Sequence, residues 1–275
     1  MDNLSQRRVR FSAHKAAMEL YNKIDALDKT DPDWQKKVSE CLDHAFSLES
    51  SEDDRGGWDF QRERGLDCLT ADDILLIRPV RDTDNAFYNN VRMQWVASRK
   101  IDGKEIMKTP HYWHETQRER SFFCICERLQ DRTPMGYISI KDTRKPLWEI
   151  AIEFDRQYCH HGYGSRSILL FLQEIQRITG IEEFQARVEP DNVPSQKCME
   201  HIGASLVGIC NGDILVTEEM KEAFENESLE MIDDHMQQLA GRLLIPPRKL
   251  LSHVLDYRIF PGFPSSAAQR CGTTS

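Results

Sequence analysis

No apolar run in this chain approaches the length of a membrane span, although 40% of its 275 residues are hydrophobic. A soluble, globular protein is therefore expected, with no membrane partner. Excess positive charge is also missing. A formal net charge of −9 argues against nucleic acid as a partner, because phosphate neutralisation needs a basic surface. The same charge is compatible with a cationic substrate such as an amine. Met1-Asp-Asn shows no basic-then-apolar leader, and the eight cysteines are scattered without a regular framework, so reduced thiols in a cytoplasm are expected. The glycine motifs of nucleotide binding are incomplete. Gly162-x-Gly164 lacks both the third glycine and the downstream acidic residue of a dinucleotide fingerprint, and no Gly-Lys-Ser/Thr follows it.

What is present is concentrated at residues 149–164. Ile150, Ile152 and Phe154 alternate with Glu149, Ala151 and Glu153, the period-two pattern of a strand with unlike faces. Gly162 and Gly164 then remove two Cβ atoms that would block close approach by a ligand or another backbone. From Ser165 to Thr179, residues Ile168, Leu169, Phe171, Leu172, Ile175 and Ile178 make an apolar stripe at helical spacing. A strand, a bare turn and a helix N-terminus make an anion cradle, because the first amides of a helix lack internal partners.

The surrounding segments extend the pattern. Phe184–Glu189 is a second alternating strand, followed by Asn192-Val-Pro-Ser195 and a short helix that Gly203 ends. Asn192 suits the cap, Pro194 the first turn and Gly203 the left-handed stop. Ala204–Cys210 and Asp213–Thr217 flank Asn211-Gly212, a strong hairpin signal. Upstream, Ile74–Ile77 leads into Arg78-Pro79, and Phe122–Glu127 and Met135–Lys141 supply two more strands.

In this setting Cys159-His160-His161-Gly162-Tyr163-Gly164 resembles the acetyl-CoA loop of the GNAT N-acetyltransferases, Arg/Gln-x-x-Gly-x-Gly/Ala. Asn192-x-x-Ser195 with its helix resembles that family's second signature, and the order of elements over residues 72–217 is similar to the GNAT order. The nearest subgroup is the ribosomal-protein-type (RimJ/RimL-like) acetyltransferases. The resemblance covers about half the chain. It implies an α/β (α+β) GNAT fold, with a mixed, splayed, mostly antiparallel central sheet flanked by helices. It further implies an acyltransferase with acetyl-CoA as cosubstrate, and direct transfer in a ternary complex to a primary amine, either a small molecule or a protein N-terminus.

Site residues follow from the same resemblance. His160, His161, Gly162, Tyr163, Gly164, Ser165 and Arg166 are the candidates for the pyrophosphate, through backbone N–H groups and, at His160, His161 and Arg166, positive charge. Asn192 would touch the pantetheine arm, or serve only as a helix cap. Glu149 falls where the RimL-like subgroup has its base, and Glu153, on the same strand face, is the alternative. The family often places a tyrosine four residues after the serine, where this chain has Met199; Ser195, Cys198, Tyr163 or water would then protonate the thiolate. Cys159 is a second departure, at the Arg/Gln position. The two departures motivate the alternative of a non-catalytic acyl-CoA-binding or interaction module. Cys159-His160-His161 and Cys198-x-x-His201 offer soft ligands without tight zinc spacing, and no metal is expected. His111–His114 and Trp95 are aromatic-rich candidates for the acceptor site, or core.

Residues 1–71 are expected as a helical extension, with a helical pair at 9–48 and a charged connector at 49–71. Residues 72–217 would be the acetyltransferase domain, residues 218–260 a C-terminal helical extension with a long helix over 218–244 and a short one over 248–257, and 261–275 a disordered tail. The flanking helices pack on the core or form a homodimer surface.

Overall fold

The computed structural model describes residues 57–95, 100–101, 104–105, 112–215 and 217–262, together with positions 4, 7, 8, 11 and 37. Two compact units emerge, one of residues 56–210 with 253–275, the other of residues 1–55 with 211–252. The expected helical pair at 9–48 lies almost wholly outside the described residues, as does the tail beyond residue 262. No described helix is long and apolar enough to cross a membrane.

The first unit is built on an eight-stranded sheet in the order β1-β2-β5-β6-β7-β8-β10-β9. Its strands are β1 (Thr70–Ala71), β2 (Leu75–Pro79), β5 (Phe122–Arg128), β6 (Pro134–Ile140), β7 (Trp148–Phe154), β8 (Phe184–Val188), β9 (Ser205–Asn211) and β10 (His253–Ile259), while β3 (Lys100–Ile101) and β4 (Lys104–Glu105) form a separate ribbon. Helix α1 (Asn85–Trp95) packs on β6 and β7 and α2 (Tyr163–Thr179) on β1, β2, β6 and β7. Every residue of β2 is buried, which is why Leu75–Ile77 reads as a continuous apolar run rather than an alternating one. The α2 stripe buries Ile168, Phe171, Leu172 and Ile175 completely, and Phe171 stacks on Phe122, which stacks in turn on Phe60 with ring centroids 4.2 Å apart. Under α1 a second cluster joins Tyr88, Val91, Phe123, Ile125 and Tyr137. Arg78 leaves β2 inside the protein, its guanidinium held by both oxygens of Asp84 and by Glu127 at 2.6–2.9 Å; a buried cation needs such complete pairing.

Four expectations change. Residues 57–71, read as part of a charged connector at 49–71, belong to the sheet unit: Thr143 Oγ1 donates to the Trp58 carbonyl at 2.7 Å, and Phe60 is buried between Phe122 and Trp148. Asn211-Gly212 does not turn a hairpin. The partner of β9 is β10, more than forty residues away in sequence, and the Asn211 side chain accepts from Lys221 Nζ at 2.7 Å. The short helix expected over 248–257 stops at Ser252, because Leu255, Tyr257 and Ile259 alternate with Asp256 and Arg258 and pair in register with β8 from Leu255↔Val188 to Ile259↔Phe184. Cys68, expected as a thiol, is disulfide-bonded, whereas Cys124, Cys126, Cys159, Cys198 and Cys210 are free thiols.

In the second unit the long helix expected over 218–244 is two, α4 (Glu218–Glu227) and α5 (Asp234–Leu243), followed by α6 (Lys249–Ser252). The break has local causes. Thr217 accepts from Met220 N and Asp233 from Met236 N, so each helix has its own N-cap. Several of its buried polar groups are paired. Glu225 takes Ser252 Oγ at 2.6 Å and Lys249 Nζ at 2.9 Å, and Arg8 donates to the carbonyls of Leu250 and Leu251.

Candidate active site

Strands β7 and β8 run parallel but pair only at Trp148↔Phe184 and Glu149↔Gln185. Beyond that point they part, and Ala151, Ile152 and Glu153 are only half-buried in the middle of a sheet. The expected splay is therefore real, and it leaves one backbone edge of β7 without a strand beside it.

At the end of β7, Asp155 caps a short 3₁₀ turn through Gln157 N. The backbone then passes through His160 (φ +65°) and Gly162 (φ +81°) into α2. Helix α2 has no side-chain cap. Its first backbone bond is Arg166 N to Gly162 O at 3.2 Å, so the N–H groups of Tyr163, Gly164 and Ser165 point out of the helix with no described backbone acceptor, the arrangement that attracts an anion. Gly162 is required by its backbone angle. Gly164 is not: a Cβ there would meet only Cys198 Sγ, at 3.7 Å, so its lack of a side chain keeps space open above the helix start.

The side chains expected around this turn divide. His160 and His161 are exposed, with the His161 ring 5.9 Å from that of Tyr163, and Tyr163 stacks against Phe154. Arg166, expected to lend its charge to the cradle, pairs instead with Asp72 and Asp73. Cys159 Sγ lies 3.7 Å from the Asp155 carbonyl, and burial pushes its thiol up. Asn192 Oδ1 accepts from Ser195 N at 3.2 Å, the capping role left open by the sequence. Helix α3 (Val193–His201) meets α2 where Cys198 Sγ lies 3.3 Å from Ser165 Oγ. Met199 points into the core, 3% exposed.

The two candidate bases differ in their surroundings. Glu149 is 2% exposed, with one oxygen on Lys141 Nζ and the other 2.8 Å from Arg187. Both acceptor atoms are already taken by cations. Glu153 keeps 18% of its side chain exposed; its Oε1 pairs with Arg92 from α1, and its Oε2 is buried, with the Tyr137 side chain beside the carboxyl. Burial pushes the Glu153 carboxyl above the ordinary carboxylate range, against the opposing charge of Arg92. Tyr137 stands opposite Glu153 in register, and nearby Tyr88 donates to Glu115 at 3.2 Å.

Arg92, Gln94 and Trp95 are the neighbours that sequence reasoning missed or placed elsewhere. Trp95 Nε1 donates to the Phe154 carbonyl at 2.7 Å, and Gln94 Oε1 accepts from Arg156 N at 3.0 Å. The signal was present as spacing, since Tyr88, Arg92 and Trp95 share one face of α1 at i, i+4, i+7. Trp113 packs edge-on against Tyr88, and His114 is exposed. His111 lies outside the described residues. Among the described residues, no three His, Cys, Asp or Glu side chains converge as a metal site would require.

Residues 75–205 match the family model described as acetyltransferase (GNAT) domain. No curated protein sequence matches the chain. Among solved structures, it is similar to Mycobacterium smegmatis RimJ in complex with CoA-disulfide (16% identity over 68% of this chain and 81% of that one, TM-score 0.45). It is similar also to a ribosomal-protein-S5-alanine acetyltransferase from Vibrio fischeri (13%, 68% and 93%, TM-score 0.45) and to a variant of a Vibrio cholerae spermidine N-acetyltransferase (11%, 67% and 94%, TM-score 0.46). Residues 75–205, with their splayed sheet and open helix N-terminus, are a GNAT acetyltransferase domain: an acyltransferase whose cosubstrate is acetyl-CoA.

Proposed function

We propose that this protein acetylates a primary amine by direct transfer in a ternary complex, with Glu153 as the base. The observation that carries this reading is a half-buried carboxylate on the splayed part of β7, paired with one cation, on the strand that leads into three outward-pointing amides. Tyr163, Gly164 and Ser165 would hold the pyrophosphate of acetyl-CoA through their N–H groups. The uncovered edge of Ala151–Glu153 would pair with the amide groups of the pantetheine arm, as an added strand pairs with a sheet edge. Acetyl-CoA supplies an activated acyl carbon with a thiolate leaving group. Glu153 Oε2 takes the proton of the acceptor ammonium, directly or through one water, and the amine nitrogen forms its bond to the acyl carbon as the carbon–sulfur bond breaks. The thiolate gains its proton from water or Ser195, because Met199 has none to give, and the second proton that the nitrogen loses as the amide forms replaces it. Glu149, clamped by Lys141 and Arg187, keeps the closed end of the splay in register.

The acceptor class is a small amine or a protein N-terminus. The decisive experiment follows CoA release with a panel holding a polyamine and short peptides with unblocked N-termini. Glu153→Gln should lower kcat by about 10²-fold or more while acetyl-CoA affinity stays within a factor of two or so. Unchanged kcat would remove Glu153 from the role. Bound acetyl-CoA with no release for any amine would favour the second reading, a non-catalytic acyl-CoA-binding module, for which Met199 in the core is the supporting observation.

A further inference from the structure

The Arg92 ion pair does more than neutralise a buried charge. Burial and a second carboxylate favour the protonated form of a glutamate, a neighbouring cation favours the ionised form, and a protonated carboxyl cannot accept a proton. Among the described residues, the charged and titratable groups around Glu153 are Arg92 and Tyr88 from α1, Tyr137 from β6, and Glu115 from the 112–117 turn. Burial and Glu115 push the Glu153 carboxyl up, and Arg92 is the cation on the other side. Nη1 engages Oε1, and Oε2 is itself buried, so the pair lies out of bulk water.

The guanidinium is held where it is by the helix that carries it. The last turn of α1 is stitched to the end of β7 by Trp95 Nε1 on the Phe154 carbonyl at 2.7 Å, by Gln94 Oε1 on Arg156 N at 3.0 Å, and by Arg156 Nη2 on the Gln94 carbonyl at 2.6 Å. Arg156 also lies over the Trp95 ring, 5.3 Å from its centroid. Helix and strand therefore present Arg92 and Glu153 to each other as a preassembled pair.

We infer that Arg92 is the positioning residue for the base: paired to Oε1, it favours the ionised form of Glu153 and fixes the carboxylate on the splayed part of β7. This rests on the reading of Glu153 given above, and the two separate experimentally. The test is the pH dependence of kcat for the wild type, Arg92→Met, Arg92→Lys and Glu153→Gln, with acetyl-CoA binding and Tm measured for each. In the wild type, activity should fall as pH falls through the Glu153 titration. Arg92→Met should move that acid limb upward by about one pH unit or more, with rate recovered at alkaline pH and acetyl-CoA affinity unchanged. Arg92→Lys should restore the limb to within about half a unit, since it returns a point charge without the fork. A limb abolished by Glu153→Gln but unmoved by Arg92→Met would overturn the inference and leave Glu153 as the base. Full activity in Glu153→Gln would instead overturn the reading on which it rests. Should Arg92→Met fail to fold, Arg92→Gln, which keeps a donor to Oε1 without the charge, carries the same expectation.

Discussion

Gly162 and Gly164 stand two positions apart and do different things, and a methyl group at each separates them. At Gly162 the backbone angle of +81° costs an L-residue about 1–2 kcal/mol, so Gly162→Ala should lower Tm as well as acetyl-CoA affinity. At Gly164 the new methyl would meet only Cys198 Sγ at ordinary contact distance. Gly164→Ala should therefore leave Tm within a degree or two and still weaken acetyl-CoA binding, by about tenfold or more if the methyl occupies phosphate space. Calorimetric titration beside a melting curve reads both quantities; a Gly164→Ala protein that binds like wild type would show that the open space is not used. The glycines were legible in the sequence because backbone freedom is encoded in one residue. The different surroundings of Glu149 and Glu153 were not. Alternation put them on one face of β7, but the pairing of Glu149 with Lys141 and Arg187 comes from β6's end and from β8, and Arg92 reaches Glu153 from sixty-one residues away. The pairing of Arg166 was hidden for the same reason: its partners Asp72 and Asp73 precede β2.

At the scale of elements, short-range patterns found nearly every strand and helix near the site, since β5, β6, β7, α2, β8 and α3 each carry their own periodicity and caps. They failed where one element answers a distant one. The Asn211-Gly212 signal is local, and it loses to five registered pairs between β10 and β8. Residues 253–259 carry a readable alternation, but nothing in their neighbourhood says that they insert between β8 and β9. A chain ending after residue 217 keeps every motif on which the family resemblance rests, and it should nevertheless fail as a domain. Losing β10 strips Phe184, Ala186 and Val188 of their neighbours Ile259, Tyr257 and Leu255 and leaves β9 without a described partner strand, an exposed apolar edge of the kind that aggregates. Expression of the truncated and full-length chains, compared by the soluble fraction and far-ultraviolet circular dichroism, checks this; a soluble truncated chain with a cooperative melt would mean that β8 is a competent sheet edge.

The whole molecule joins two compact units with separate sets of buried groups: the sheet with its two aromatic clusters, and the helical unit around Phe224, Glu225 and Lys221. A ligand stabilises only the unit that binds it. Acetyl-CoA at one hundred times its Kd is worth about 2.7 kcal/mol to the sheet unit and nothing to a unit that unfolds independently. The converse perturbation is Arg8→Met. Arg8 is 2% exposed and its donors serve the last carbonyls of α6, Leu250 and Leu251; removing it strands buried acceptors at a cost of about 1–3 kcal/mol. Scanning calorimetry should then give two transitions in the wild type. Acetyl-CoA should raise one, and Arg8→Met should lower the other. Both perturbations moving a single transition would mean that the helical unit and the sheet unfold together, in which case the segment inserted between β9 and β10 stabilises the acetyltransferase domain directly.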